Sequence, residues 1–175
     1  MVYDIAKRKD DEYMTPEYAV RPLLKYLKPC SCIWCPFDKG DSNFVKVLSE
    51  IGTVISTHID DGTDFLDDNC GIDTEMIDYI VSNPPYSKKV DVLEKLFRLD
   101  IPFAMLVGEA GLFDGKRKFE MFKRNKFELL IPSKRIDYLD SKGDKKGCGS
   151  TPYKSIYVCH NILPKQIVFE EIDKK

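Results

Sequence analysis

The sequence predicts an α/β protein, a mixed and mostly parallel sheet flanked by helices, and three observations carry that expectation. Short apolar runs alternate with amphipathic stretches, the order that builds parallel sheets through crossovers. The run 103-FAMLVG-108 is apolar at every position, as a strand covered on both faces must be. The run 77-IDYIVS-82 stops at two prolines, which cannot continue a central ladder, so this strand ends near Ser82. That leaves 83-NPPY-86 at a strand's carboxyl end, where open α/β sheets bind their ligands.

The elements follow in order. Residues 1–11 read as a polar leader, and 12–175 as one domain, since 175 residues bury a full core but are few for two ordinary domains. In 15-TPEYAVRPLLKYL-27, Thr15 is placed to cap a helix with Pro16 at its first position, and Pro22 should kink or interrupt it. A strand at 31–35 leads through a polar turn to a helix over 42–51 that Gly52 closes. The β-branched run 53–58 is a second strand, followed by an acidic loop containing 63-TDFL-66 and then by the strand that ends at Asn83. Helix 90–99, strand 103–108, a basic helix over 116–124, a strand near 127–131, a Gly/Lys/Ser loop at 141–152 and a final strand near 153–160 complete the chain.

The formal charge of -2 hides an asymmetry. Residues 1–111 hold 12 Lys/Arg against 20 Asp/Glu, whereas residues 112–156 hold 12 against 6. The basic section includes Lys116, Arg117, Lys118, Arg124, Lys134 and Arg135, a candidate surface for nucleic acid. A membrane role is not expected, because no apolar run approaches the roughly 20 residues a spanning helix needs. The amino-terminal residues lack a secretory pattern, so the expected compartment is the cytoplasm. No metal site is expected from 30-CSCIWC-35, because on a strand Cys30 and Cys32 share one face and Cys35 the other. With only His58 and His160 in the chain, nucleophile and base pairs have few candidate bases, and no phosphate-binding loop of the G-x-x-x-x-G-K-[ST] type is present.

The strand-end tetrapeptide points to an amine. The Asn83 side chain and the Pro84 backbone offer two carbonyl acceptors beside the aromatic face of Tyr86, a set suited to a planar amino group. Accepting both hydrogens concentrates the lone pair on nitrogen, while stacking on Tyr86 is worth about 1–3 kcal/mol for a nucleobase.

These elements resemble the S-adenosylmethionine-dependent amino methyltransferases, especially small phage-type adenine-N6 DNA methyltransferases. The resemblance rests on 15-TP-16, 34-WCPFDKGDS-42, 53-TVISTHIDD-61, 64-DF-65 and 83-NPPY-86 in that order, and runs from about residue 12 to residue 124. It implies a Rossmann-like methyltransferase fold, with Asn83, Pro84, Pro85 and Tyr86 as the amine and base site. It also implies that Thr15, Pro36, Phe37 and Gly40 line the methionine end of the cofactor, with Asp64 reaching its adenine amine and Phe65 packing on its ring. The cofactor would then lie across the carboxyl ends of the family's first and fourth strands, and a duplex base would reach it by flipping out of the stack.

The pattern departs from the family at the cofactor. Cys35 stands in place of the first-strand acid, the turn after it keeps one glycine with Lys39 and Ser42 beside it, and His58 stands where an acid normally binds the ribose hydroxyls. Asp60 substitutes if the second strand runs longer, or Asp38 and Asp41 supply charge from the turn. Three functions therefore stay open: adenine-N6 methyl transfer to DNA, transfer to RNA adenine or protein glutamine, and a catalytically silent binding module for nucleic acid or protein. Specificity would come from the basic segment, a partner subunit or a homodimer.

Overall fold

In the computed structural model, residues 14–139 and 154–174 are described. The leader, the loop expected at 141–152 and the basic residues Lys142, Lys145 and Lys146 lie outside them.

The strands are β1 Ser31–Cys35, β2 Gly52–Ser56, β3 Tyr79–Ser82, β4 Phe103–Gly108, β5 Glu128–Pro132, β6 Ser155–His160 and β7 Ile167–Glu170. They form one seven-stranded sheet in the order β2-β1-β3-β4-β6-β5-β7. The pairs β1·β2, β1·β3, β3·β4 and β5·β7 are parallel, and β6 runs antiparallel to both of its neighbours. The strands at 31–35 and 103–108 have the expected limits. β7 is an addition to the sequence reading, which made β6 the last strand.

Alternation along the strands divides the core into two layers. Ile33, Val81, Ala104, Leu106, Tyr157 and Cys159 face one side and pack against Ala19, Leu23, Phe44, Val47 and Leu48. Trp34, Ile80, Phe103, Met105, Val107, Ile156 and Val158 face the other, where they meet Val92, Leu93, Leu96 and Phe97 of helix α3, Lys89–Leu99, and Met121 and Phe122 of α4, Lys116–Arg124. All six residues of β4 are buried, which is why its sequence is apolar throughout.

The amino-terminal helix is shorter and tighter than its sequence suggests. α1 covers only Glu17–Val20, and around Pro22 the chain tightens into a 3-10 turn over Arg21–Tyr26. Pro16, not Thr15, is the N-cap, and it makes no side-chain capping bond. The Tyr157 hydroxyl donates to the Ala19 carbonyl at 2.8 Å and pins this segment to the sheet.

α2, Asn43–Leu48, starts at Ser42, whose Oγ accepts from the Val45 amide at 3.2 Å. Gly52 does not close that helix. It is the first residue of β2, paired with Ser31, and a Cβ there would stand 2.2 Å from the Ser31 carbonyl oxygen. Close backbone approach therefore requires the glycine. Gly52→Ala is expected to destabilise the chain by about 1–3 kcal/mol through this overlap; a urea midpoint equal to that of the unaltered chain would contradict the register of β1 on β2.

Candidate active site

The chain leaves β1 for β2 on one side and returns past it to β3 on the other, so the crevice between the carboxyl ends of β1 and β3 is the sheet's switch point. Pro36, Phe37 and Asp38 leave β1 there, and Asn83 to Tyr86 leave β3.

Six residues close a ring around this point. Asp38 is 9% exposed and accepts the Ser82 hydroxyl from the last position of β3. Asn83 comes next, and its Nδ2 donates to Thr15 Oγ1 at 3.3 Å. The Thr15 carbonyl accepts from Asn43 Nδ2 at 2.9 Å, and Ser42, the residue before Asn43, bonds back to Asp38. Thr15 thus faces the tetrapeptide where the sequence suggested a helix cap. Burial pushes the Asp38 carboxyl up from 3.8 to about 6, against the opposing pull of the Ser82 and Ser42 hydroxyls and of nearby His58.

The Asn83 Oδ1 takes no hydrogen bond from a described residue. Pro84 is buried, while Pro85 and Tyr86 are exposed. The Tyr86 hydroxyl lies where a side chain on residue 108 would be: a Cβ at Gly108 would meet it at 1.7 Å. Lys89 Nζ lies 5.5 Å from the Tyr86 ring centroid and donates to the Gly108 and Ala110 carbonyls at 3.3 Å each. Burial, then the charge of Lys118, lowers the Lys89 ammonium. Sequence reasoning missed Gly108 and Lys89. The detectable signal was a glycine ending the apolar strand β4 and a lysine opening the helix that follows the tetrapeptide.

The nucleoside end differs from expectation at several residues. Phe65 is 1% exposed, with Trp34 and Phe37 each at 5.2 Å and Lys95 Nζ 5.1 Å from its ring centroid, so it belongs to the core and offers no open face. Pro36 is buried and Phe37 half-buried against that cluster. Asp38 is sealed inside and cannot reach a ribose from the turn. β2 stops at Ser56, so Asp60 does not extend a strand; it sits in a short 3-10 turn over Ile59–Asp61 that His58 caps, its ring accepting from the Asp60 amide at 3.2 Å. Lys39 holds the Asp60 carboxylate at 2.9 Å and keeps it below the usual range.

Asp64 is exposed, and its Oδ1 accepts from the Leu66 amide at 2.9 Å in a local turn. Gly40 has no steric need to be glycine, since a Cβ would find only Ser56 Oγ at 3.9 Å.

The described basic residues do not form one patch. Arg117 forks onto Asp91 at 2.7 Å and onto Glu94 at 2.6 and 2.8 Å, and Arg124 pairs with Glu120 at 3.3 Å. Lys118 donates to the Gly111 carbonyl. Lys116, Lys134 and Arg135 are exposed and come after the carboxyl ends of β4 and β5, on the edge that carries Asn83, whereas Arg124 ends α4 at the opposite edge. Among the described residues, no three His, Cys, Asp or Glu side chains are placed to hold a metal ion, and no helix is long and apolar enough to cross a membrane.

No family model and no curated protein matches the chain. Among solved structures it is similar to a predicted O-methyltransferase from Agrobacterium tumefaciens, with a TM-score of 0.54 over 88% of this chain and 84% of that one. The chain has the methyltransferase fold. At 9% identity the likeness carries the architecture and no residue's role. Within the methyltransferase fold, the described switch point is the candidate site.

Asp38 makes the stability of the fold against global unfolding pH-dependent. Its folded-state pKa is raised, so the folded chain binds that proton more tightly, and the resulting stabilisation is complete below about pH 4 and lost as pH rises through about 6. Asp38→Asn lacks this loss. Its stability relative to the unaltered chain is expected to improve by roughly 2 kcal/mol between pH 4 and pH 7, and a difference that is flat across that range in urea titrations would contradict the buried carboxylate.

Proposed function

We propose that this chain is a methyltransferase acting on an exocyclic amine, with adenine N6 in DNA as its substrate. One observation carries the reading: Asn83, Pro84 and Tyr86 stand together at the switch point, with the Asn83 amide held by Thr15 and its Oδ1 without a donor among the described residues. Oδ1 and the Pro84 carbonyl accept the two N–H groups of the amine, and Tyr86, 44% exposed, stacks on the ring. Holding both hydrogens orients the nitrogen lone pair out of the ring plane, toward the methyl donor. No strong base is needed, because the amine becomes acidic once alkylated. The exposed cations Lys116, Lys134 and Arg135 supply phosphate contacts on the same edge.

The methyl donor would be S-adenosylmethionine, which supplies an electrophilic methyl group. Asp60 and Asp64 are exposed carboxylates in the loop after β2, and they would take its ribose hydroxyls and adenine amine once Lys39 gives up Asp60. Thr15 and Phe37 would line its methionine end.

A second reading is a cofactor-free module for binding nucleic acid. The buried Phe65 and the Lys39–Asp60 pair favour it, since both occupy groups the cofactor would use. Calorimetric titration with S-adenosylmethionine separates the two: micromolar binding supports the enzyme, and no heat at millimolar cofactor leaves the module.

Asn83→Ala is expected to lower methyl transfer to an adenine-containing oligonucleotide by on the order of 10²–10³, with about 1 kcal/mol lost from the fold through the unpaired Thr15 hydroxyl. A rate within tenfold of the unaltered chain sinks the assignment. Gly108→Ala displaces Tyr86 and is expected to weaken oligonucleotide binding about tenfold or more through lost stacking; unchanged affinity in a fluorescence titration would remove Tyr86 from the base site.

A further inference from the structure

The ring around the switch point contains a feature that the chemistry of amine binding does not require. Its centre is a carboxylate, and no lysine or arginine pairs with it among the described residues. Two hydroxyl donors can be satisfied by a neutral amide oxygen, and a buried charge without a cationic partner weakens a fold relative to a neutral isostere. A purely structural bridge would therefore be better served by asparagine. What the carboxylate adds is a strong, charge-assisted hold on the Ser82 hydroxyl that a proton can cancel.

We propose that Asp38 is a positioning residue for Asn83: its carboxylate, by accepting the Ser82 and Ser42 hydroxyls, fixes the end of β3 and the Asn83 amide, and protonation of that carboxylate releases them. The chain of contacts is short. Ser82 directly precedes Asn83, so a hold on its side chain sets the backbone from which the amide projects. Ser42 directly precedes Asn43, whose Nδ2 holds the Thr15 carbonyl, and Thr15 in turn holds the Asn83 Nδ2. Asp38 therefore acts on Asn83 from both sides, through Ser82 along the strand and through Ser42, Asn43 and Thr15 across the crevice.

The groups that face Asp38 are few. Cys35 of β1 and Tyr157 of β6 lie close enough that the Asp38 charge adds to the burial that raises both. His58, beyond β2, favours the charged carboxylate. With burial dominant, the release falls near pH 6. On the methyltransferase reading, the amine acceptor is then ordered above that pH and disordered below it.

The test uses the full-length chain labelled with nitrogen-15. The Asn83 side-chain amide signal, assigned by its disappearance in Asn83→Ala, is followed from pH 5 to pH 8. The expected result is a displacement with a midpoint near pH 6 that is absent in Asp38→Asn. In His58→Gln the displacement should persist with its midpoint moved upward, because a favourable charge is gone. An Asn83 signal that does not titrate, or one whose titration survives in Asp38→Asn or vanishes in His58→Gln, overturns the proposal. Should Asp38→Asn not fold, Ser82→Ala takes its place, since it keeps the carboxylate and removes the donor; undiminished titration of Asn83 there is equally fatal.

Where methyl transfer is measurable, its rate should fall about tenfold per pH unit below 6 through kcat, with KM unchanged, and this acid limb should be missing in Asp38→Asn. A titrating Asn83 in a chain that transfers no methyl group supports the positioning role and defeats the methyltransferase reading. Transfer with a silent Asn83 does the reverse.

Discussion

The ring through Asp38, Ser82, Asn83, Thr15, Asn43 and Ser42 joins three parts of the chain that are remote in sequence. It exists because β1 lies between β2 and β3, so the turn that leaves β1 must emerge beside the last residue of β3. The apolar faces of the strands set this order through two core layers, and the polar ring then takes up the hydroxyl and amide groups stranded where those layers end. A carboxylate with no lysine or arginine partner among the described residues sits at its centre. The site is consequently assembled from strand ends whose positions are rigid, with the polar groups of one turn and one helix start braced against them.

Much of the fold was legible because period and punctuation agree. The apolar run of β4, the prolines after Ser82 and the serine before α2 each identify an element from local chemistry, and each has its expected place. The errors share a physical origin. Thr15 has the right residue type and position for a cap, but its hydroxyl finds a partner 68 residues away in Asn83, and nothing local announces that. Gly52 comes after a helix and reads as its stop, whereas the closest atom it accommodates belongs to β1. Phe65 looks available because acidic residues flank it, yet Trp34 and Phe37 enclose its ring.

The candidate site was half legible for the same reason. The tetrapeptide 83-NPPY-86 is contiguous, so its placement at a strand end could be read directly. The residues expected at a nucleoside end come from two turns, and their character depends on which charges meet. The pair formed by Lys39 and Asp60 cannot be inferred from either turn alone, nor can the withdrawal of Asp38 into the interior. The basic segment shows the same limit. Its excess of charge is real in sequence, but Arg117 spends its guanidinium on the acids of α3, so net charge overstates the cationic surface presented to a polyanion.

The insertion of β6 between β4 and β5 also shapes how the chain reaches this state. β5 has no bond to β4; its partners are β6 and β7, both made later. A chain emerging from the ribosome can therefore pair β1 to β4 while β5 waits for residues 155–160. Until then β4, apolar at every position, presents an open edge, the kind of surface that recruits strands from other molecules. Closure of the sheet is thus an event of long sequence separation that comes after synthesis of most of the chain, and substitutions in β6 should act on folding yield more than their contribution to the native core suggests.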